Sequence, residues 1–141
     1  MTTITRGYRF SASHRLHSAQ LTEDENERVY GKCNHPFGHG HNYLLEITAA
    51  GAVDPETGMV ITVERLDRLV QDRVLSLFSH RNMNADVPQF AGLVPTTENV
   101  AIVIAGILQA NWPAEAPARL HRVRIEETGR NAFDLPIQSH A

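Results

Sequence analysis

Residues 31–50, which read GKCNHPFGHGHNYLLEITAA, combine a closely spaced pair of histidines with an alternating apolar pattern. From residue 39 onward the odd positions carry two histidines and then apolar side chains: His39, His41, Tyr43, Leu45, Ile47 and Ala49. The even positions include the polar residues Asn42, Glu46 and Thr48. A two-residue alternation is typical of a strand that is buried on one face. The pattern therefore predicts a strand over residues 39–50 and places both histidines on its apolar face.

Working outward, the rest of the chain divides into alternating and helical patterns. Strands are expected over residues 3–13, 119–127 and 132–138, helices over 62–78 and 96–111, and long loops over 18–38 and 79–95. The helices follow from apolar residues at helical spacing, and the last two strands are joined by a turn containing Gly129. The order β-β-α-α-β-β predicts an α+β fold, an antiparallel sheet with both helices on one face.

Composition limits the class of protein. The 141 residues suit one domain, residues 1–141, with 42% hydrophobic and 21% charged residues. A net charge of -3 and a pI near 6.2 argue against a nucleic-acid partner. No apolar run is long enough to cross a membrane, and the first residues do not resemble a signal peptide. The single cysteine forbids an internal disulfide, so we expect a cytoplasmic protein.

Three histidines are candidates for one metal site. His39 and His41 point the same way on an extended chain, and His14 ends the neighbouring strand. Three nitrogen ligands and an open position are typical of catalytic zinc. Cys33, in the loop before the pair, has three interpretations: a small buried residue, a fourth ligand, or a reactive thiol whose pKa is lowered by Lys32.

Other polar residues have a structural and a functional interpretation. His80 follows the first predicted helix, where it either interacts with the helix dipole or shuttles protons. Glu127 ends a strand, where it either reaches water or accepts two parallel N–H bonds from a planar ligand. Thr96, Thr97 and Glu98 suffice as a helix cap. Polar groups on a small open sheet also suggest an oligomer that closes around a site.

Seven segments resemble the 6-pyruvoyl-tetrahydropterin synthase family, which includes the 6-carboxytetrahydropterin synthases of queuosine biosynthesis. These segments occur in order along nearly the whole chain and are specific when taken together. They are Phe10–Leu16 (FSASHRL), Tyr30–Asn34 (YGKCN), Gly38–Tyr43 (GHGHNY), Val53–Met59 (VDPETGM), His80–Asn82 (HRN), Pro95–Val100 (PTTENV) and Ile125–Thr128 (IEET).

The resemblance implies an assembly and a metal. It implies the tunnelling fold, in which three subunits close a twelve-stranded barrel and two trimers form a homohexamer. It also implies zinc held by His14, His39 and His41, with Cys33 as the general base. The active sites are then expected between subunits.

The resemblance further implies how a pterin is bound. Glu127 would anchor the pterin ring, helped by Thr96, Thr97 and Glu98. His80 would belong to a proton relay. One departure bears on this relay, because the family usually has Asp before the histidine and this chain has Ser79. A hydroxyl orients an imidazole and stabilises its cation less than a carboxylate does.

The expected reaction is that of a zinc-dependent carbon–oxygen lyase. It converts 7,8-dihydroneopterin triphosphate into 6-pyruvoyl-tetrahydropterin with loss of triphosphate, and the Cys33-to-His39 spacing resembles that of the tetrahydrobiopterin branch. The alternatives are the 6-carboxytetrahydropterin reaction, which releases acetaldehyde, and a pterin-binding paralogue with weak catalysis, which Ser79 would favour.

Overall fold

The computed structural model describes residues 1–138. Its strands are β1 (Thr2–His14), β2 (His39–Gly51), β3 (Arg81–Asn82), β4 (Arg119–Glu127) and β5 (Asn131–Pro136). They form one sheet in the order β3-β1-β2-β4-β5. All neighbours are antiparallel except the two-residue β3, which runs parallel to β1. The α+β class and the four main strands are therefore confirmed, and β3 is an addition.

The α-helices are α1 (Glu23–Tyr30), α2 (Val63–Val70), α3 (Ser76–Phe78), α4 (Met83–Asp86) and α5 (Thr97–Asn111). A π-helical turn, Gln71–Leu75, joins α2 to α3, and short 3₁₀ turns cover Gly31–Asn34 and Pro88–Phe90. No helix among residues 1–138 is long and apolar enough to span a membrane.

One face of the sheet is covered by helices. The sheet contributes inward residues such as Phe10, Tyr43, Leu45, Ile47, Val123 and Ile125 to a single apolar cluster. The helices contribute Leu66, Val70, Val74, Phe78, Val100, Ile104 and Leu108 to the same cluster. The prediction that both long helical segments pack on one face is confirmed.

The π-helical turn follows from the spacing of the buried residues. Leu66, Val70, Val74 and Phe78 are all fully buried and are four residues apart. An α-helix rotates about 40° too far with each four-residue step, so three such steps would turn the last side chain away from the core. One wider turn corrects this drift. Phe78 is therefore the buried residue at the end of this segment, where regular α-helical spacing would favour Leu77.

Both predicted loops contain helical structure. Residues 18–38 include α1, which begins with a capping box between Thr22 and Glu25. Asn26 is buried inside this segment and binds three backbone carbonyls. Residues 79–95 include β3 and α4. Because apolar periodicity is weak in such short helices, the prediction of loops was wrong here; the capping box was the available signal.

A bulge changes one face of β4. The pairing shifts between Thr48 and Ala49, so that Thr48 pairs with Arg122 and Ala49 with Leu120. His121 is the extra residue and is exposed, while Leu120 is buried. A strict two-residue alternation along the strand predicted over residues 119–127 would place His121 inward with Val123 and Ile125, but the bulge reverses the alternation at this point.

The helix-free face of the sheet is polar. Arg124 forms an ion pair with Glu46 at 2.8 Å, and the hydroxyls of Thr5 and Thr48 are 2.7 Å apart. On its outer edge, away from β2, β1 pairs with β3 only at Ala12 and Ser13. Residues 2–11 therefore have no strand partner on this edge among residues 1–138.

A carboxylate on α2 ties the helix to the sheet. Asp67 accepts two hydrogen bonds from the Arg6 guanidinium, at 3.2 and 2.7 Å, and one from the Tyr8 hydroxyl at 2.6 Å. The Arg6 hydrogen bonds hold the pKa of Asp67 below its usual value, and the Tyr8 hydrogen bond acts in the same direction. These contacts fix how α2 sits on β1.

Asp67→Asn should lower the melting temperature by a few degrees, on the order of the effect expected for lost charged hydrogen bonds in a domain of this size. Glu64→Gln is the matched control, because the Glu64–Arg68 pair on the same helix is highly exposed and contributes little. Thermal unfolding at neutral pH measures both. Equal losses would contradict a specific role for Asp67.

Candidate metal centre and ligand site

Three imidazoles meet where β1 and β2 pair at one end of the sheet. His14 and His39 are register partners, and His41 lies two residues along β2. The ring centroid of His41 is 4.7 Å from that of His14 and 4.6 Å from that of His39. The structure therefore brings the three predicted histidines together. His14 is fully buried, whereas His39 is exposed.

The orientation of His14 is fixed by a backbone carbonyl. Its Nδ1 is 3.0 Å from the carbonyl oxygen of Pro95, which can only accept, so Nδ1 carries the proton. Its Nε2 is buried without a hydrogen-bond partner among the described residues. Burial lowers the pKa of His14 to about 4, and the neighbouring His41 adds to the shift. The ring is thus neutral at pH 7 and presents a lone pair to the cluster.

His41 lies at the centre of the cluster. Its Nε2 is 3.6 Å from the Cys33 sulfur, and its Nδ1 is 3.0 Å from the hydroxyl of Thr128. A Glu127 carboxylate oxygen lies 3.6 Å from the same Nδ1. Burial lowers the pKa of His41, and Glu127 opposes this shift. A second neutral imidazole therefore faces the same space as His14.

The Cys33 thiol is held against the cluster by its 3₁₀ turn. Its carbonyl accepts the Leu16 N–H at 2.7 Å, and the Asn34 amide donates to the Leu16 carbonyl at 2.8 Å. Burial raises the pKa of Cys33, and the Glu127 charge raises it further. The expectation that Lys32 lowers this pKa was wrong, because desolvation and Glu127 are the dominant influences.

Gly38 allows the chain to enter β2 close to His14. Its φ is +82°, in the left-handed region, and a side chain there would begin 3.1 Å from the His14 carbonyl oxygen. Glycine meets both requirements at once. The turn from Cys33 to His39 can therefore pass tightly over the end of β1.

The donor atoms fit a zinc ion. One ligand atom each from His14, Cys33 and His41 lies within 4.8 Å of the others. The unpartnered, buried Nε2 of His14 is the kind of atom that a metal would satisfy. Two imidazole nitrogens and a sulfur suit zinc. His39 is not a member of this group, although the centroid of its ring is 4.6 Å from that of His41. The geometry is compatible with Cys33 either as a ligand or as a neighbouring thiol.

A carboxylate borders the cluster. Glu127 ends β4 and accepts a short hydrogen bond from the Thr97 hydroxyl at the start of α5. Thr96 caps this helix by accepting the Asn99 N–H at 3.2 Å. Glu98 is exposed in the first turn of α5. The structure therefore joins Thr97 to Glu127, while Thr96 has the capping contact and Glu98 lies further out.

Ser79 and His80 lie elsewhere in the chain. His80 has a φ of 59° and donates its N–H to the Ser11 carbonyl at 2.6 Å, at the outer edge of β1. Both residues line a cavity with Arg9 and Glu126, on the helix-free face. His80 also lines a neighbouring cavity with His41 and Thr128. The Cys33 sulfur contacts His41 but lines neither of these two cavities.

Two groups in the site were absent from the sequence prediction. The Pro95 carbonyl orients His14, and the Thr128 hydroxyl contacts His41. The first is a backbone group and leaves no trace in a residue pattern. Thr128 belongs to the Ile125–Thr128 segment that resembles the family, but no role in the site was predicted for it.

Comparison with known proteins gives a consistent result. The family described as 6-pyruvoyl tetrahydropterin synthase matches residues 3–136. A 6-pyruvoyl tetrahydrobiopterin synthase from Poecilia reticulata is 46% identical over 128 residues, covering 91% of this chain and 85% of the relative. The Homo sapiens protein of the same name is 43% identical and covers 91% and 86%.

A solved structure agrees with the sequence matches. The 6-pyruvoyl tetrahydropterin synthase of Caenorhabditis elegans superposes with a TM-score of 0.89 at 40% identity, covering 97% of this chain and 96% of that one. The similarity confirms the tunnelling fold expected from the sequence.

The burial of His14 predicts how the metal-free protein responds to acid. Its pKa is about 4 when folded and 6.5 in the reference state. Between these values the unfolded chain binds a proton that the folded chain does not, so stability is lost as the pH falls through this window. A difference of this size corresponds to about 3 kcal/mol.

Denaturant unfolding of chelator-treated protein, at fixed protein concentration from about pH 7 to pH 4, measures this loss. His14→Gln should weaken the dependence of stability on pH, and the smaller dependence that remains is due to His41. His121→Gln, which removes an exposed histidine from β4, is the control. If His14→Gln keeps the full dependence of the unsubstituted chain, the assignment is wrong.

Proposed function

This chain belongs to the 6-pyruvoyl tetrahydropterin synthase family, and we propose that it is a zinc-dependent carbon–oxygen lyase. Its substrate is 7,8-dihydroneopterin triphosphate, its product 6-pyruvoyl-tetrahydropterin, and triphosphate is released. The observation that carries this proposal is the cluster of His14, Cys33 and His41, bordered by the Glu127 carboxylate. Two relatives that match 91% of this chain are named 6-pyruvoyl tetrahydrobiopterin synthase.

We assign the metal to His14, His39 and His41. The lone pair of the His14 Nε2 is already directed into the cluster. Burial lowers the pKa of both His14 and His41, which favours the neutral rings that ligation requires. Bound zinc supplies Lewis-acid polarisation of the substrate side-chain oxygens. Three histidines leave the further coordination position that a substrate needs.

Cys33 is the proposed general base. Its sulfur is 3.6 Å from the His41 Nε2, so it borders any group held by the histidines without itself being required as a ligand. Burial raises its pKa in the metal-free chain, and a neighbouring cation acts in the opposite direction. A base of this kind must remain a free thiol, which favours the reducing cytoplasm.

Glu127 and Thr97 are the proposed anchor of the pterin. A carboxylate accepts two parallel N–H bonds from a planar ring, which fixes the orientation of that ring as well as its affinity. The Thr97 hydroxyl holds one oxygen of Glu127 and thereby orients the carboxylate. Thr96 and Glu98 complete this binding region from the first turn of α5.

The position of His80 supports active sites between subunits. His80 and Ser79 line a cavity on the helix-free face, and the Cys33 sulfur does not line this cavity. We propose that the relay to Cys33 uses His80 from another copy. The unpaired edges of β1 and β5 offer the pairing that would close three sheets into a ring. We propose a trimeric barrel and a homohexamer of two such trimers.

Product identification tests the reaction. We expect the zinc-loaded protein to release triphosphate from 7,8-dihydroneopterin triphosphate and to form 6-pyruvoyl-tetrahydropterin without acetaldehyde. Chromatography and mass spectrometry of the products provide the measurement. Acetaldehyde together with 6-carboxytetrahydropterin would overturn the assignment in favour of the queuosine-type reaction, and tight binding without turnover would leave a pterin-binding paralogue.

Subunit mixing tests the intersubunit site. Cys33→Ala and His80→Ala should each be nearly inactive alone, while keeping about one zinc per chain. Hexamers co-expressed from equal amounts of the two variants should regain about one quarter of the activity, because that fraction of sites combines an intact Cys33 with an intact neighbouring His80.

Two outcomes would contradict these assignments. A mixture without activity, from variants that assemble normally, would mean that Cys33 and His80 act from the same chain. Loss of zinc in Cys33→Ala would make Cys33 a ligand and remove its role as the base.

A further inference from the structure

Thr128 adopts a backbone conformation that disfavours its residue type. It follows β4 directly, and its φ is 52°, in the left-handed region. β-Branched residues seldom adopt this conformation, which glycine and asparagine tolerate far better. Gly129, the next residue, also has a positive φ of 72°. The chain thus holds a threonine at a position where its side chain brings no conformational advantage.

The backbone and the hydroxyl of Thr128 both contact the metal-binding strand. Its N–H donates to the Asn42 carbonyl at 2.8 Å, which fixes the residue beside β2. Its Oγ1 is then 3.0 Å from the Nδ1 of His41. The left-handed conformation therefore accompanies a direct contact between the hydroxyl and a histidine of the cluster.

This contact is open to either tautomer of His41, because a threonine hydroxyl both donates and accepts hydrogen bonds, and it matches the tautomer in which the Nε2 binds a metal. When the hydroxyl accepts the Nδ1–H, the proton stays on Nδ1 and the Nε2 lone pair is free. That Nε2 faces the Cys33 sulfur and the interior of the cluster. His14 is arranged in the same way, with its Nδ1–H bound to the Pro95 carbonyl and its Nε2 free.

Glu127 is the other acceptor near this ring. Its closer oxygen is 3.6 Å from the His41 Nδ1, beyond ordinary hydrogen-bond length, and its other oxygen is bound by Thr97. Because Thr128 is the nearer partner of His41, the Glu127 carboxylate is not needed to orient the ring. It remains available to a ligand.

We propose that Thr128 is a positioning residue that holds His41 in its metal-binding tautomer and orientation, and that its strained conformation serves this contact. The inference rests on the metal site of the proposed function. It adds a division of roles between neighbouring residues, in which Thr128 orients the metal ligand and Glu127 binds the pterin.

Zinc affinity, measured by competition with a chromophoric chelator on the full-length assembled protein, tests the proposal. Thr128→Val keeps the branched shape and the strain but lacks the hydroxyl, and it should bind zinc roughly 10–100-fold more weakly. Thr128→Ser restores a hydroxyl and should bind within a few-fold of the unsubstituted protein. Two-bond ¹H–¹⁵N spectra of the imidazoles should show His41 with its proton on Nδ1, and a mixture of tautomers in Thr128→Val.

Thr128→Gly separates positioning from folding. It relieves the left-handed strain, so the metal-free protein should melt no lower than the unsubstituted one, yet its zinc affinity should fall as far as that of Thr128→Val. If Thr128 had a purely structural role, the zinc affinity of each variant would follow its melting temperature, and Thr128→Gly would bind zinc as tightly as the unsubstituted protein.

The outcomes distinguish this inference from the proposed function. If the unsubstituted protein binds about one zinc per chain and Thr128→Val binds it equally tightly, the positioning role is overturned and the metal site stands. If Thr128→Ser loses as much affinity as Thr128→Val, the hydroxyl is not the determinant and the proposal is likewise overturned. If the unsubstituted protein binds no zinc, both proposals fail.

Discussion

The register between β1 and β2 is the constraint on which the rest of this structure depends. Thirteen residue pairs, from Thr2 with Gly51 to His14 with His39, fix two long strands relative to each other. Because side chains alternate with a period of two, a slip of one residue would turn the apolar face of either strand towards water. The burial of Tyr43 and Leu45 therefore also places His14 opposite His39. The hydrophobic core and the metal site are set by one pairing.

The same register creates an electrostatic difficulty at its open end. It buries polar rings beside a carboxylate, and a buried polar atom without a partner is costly. The structure offsets part of this cost with one hydrogen-bond partner for each ring, the Pro95 carbonyl for His14 and the Thr128 hydroxyl for His41. Within the histidine cluster, the His14 Nε2 remains buried without a partner among residues 1–138. A cation there would satisfy this atom and reverse the conditions that now raise the pKa of Cys33.

Periodic patterns made most of the fold predictable. The four main strands and the two long helical segments each repeat often enough to reveal which face is buried, and the histidine trio could be found because two of its members lie on one such strand. What escaped prediction depends on single events. The bulge that turns His121 outward, the π-helical turn before Phe78 and the short helix after Thr22 each follow from packing or capping at one place. The Lys32 interpretation failed because proximity along the chain says nothing about desolvation.

The two faces of the sheet give the final constraint. Residues identified along a sequence carry no label for the side of the sheet on which they will lie, so Cys33 and His80 could be assigned to one mechanism without any sign of where each lies on the sheet. Among residues 1–138 the sheet has open edges along β1 and β5. In the proposed ring of identical copies, those edges pair with each other. The pairing that satisfies the edges would then also complete the proposed site, with Ser79 and His80 of one copy serving the Cys33 of its neighbour.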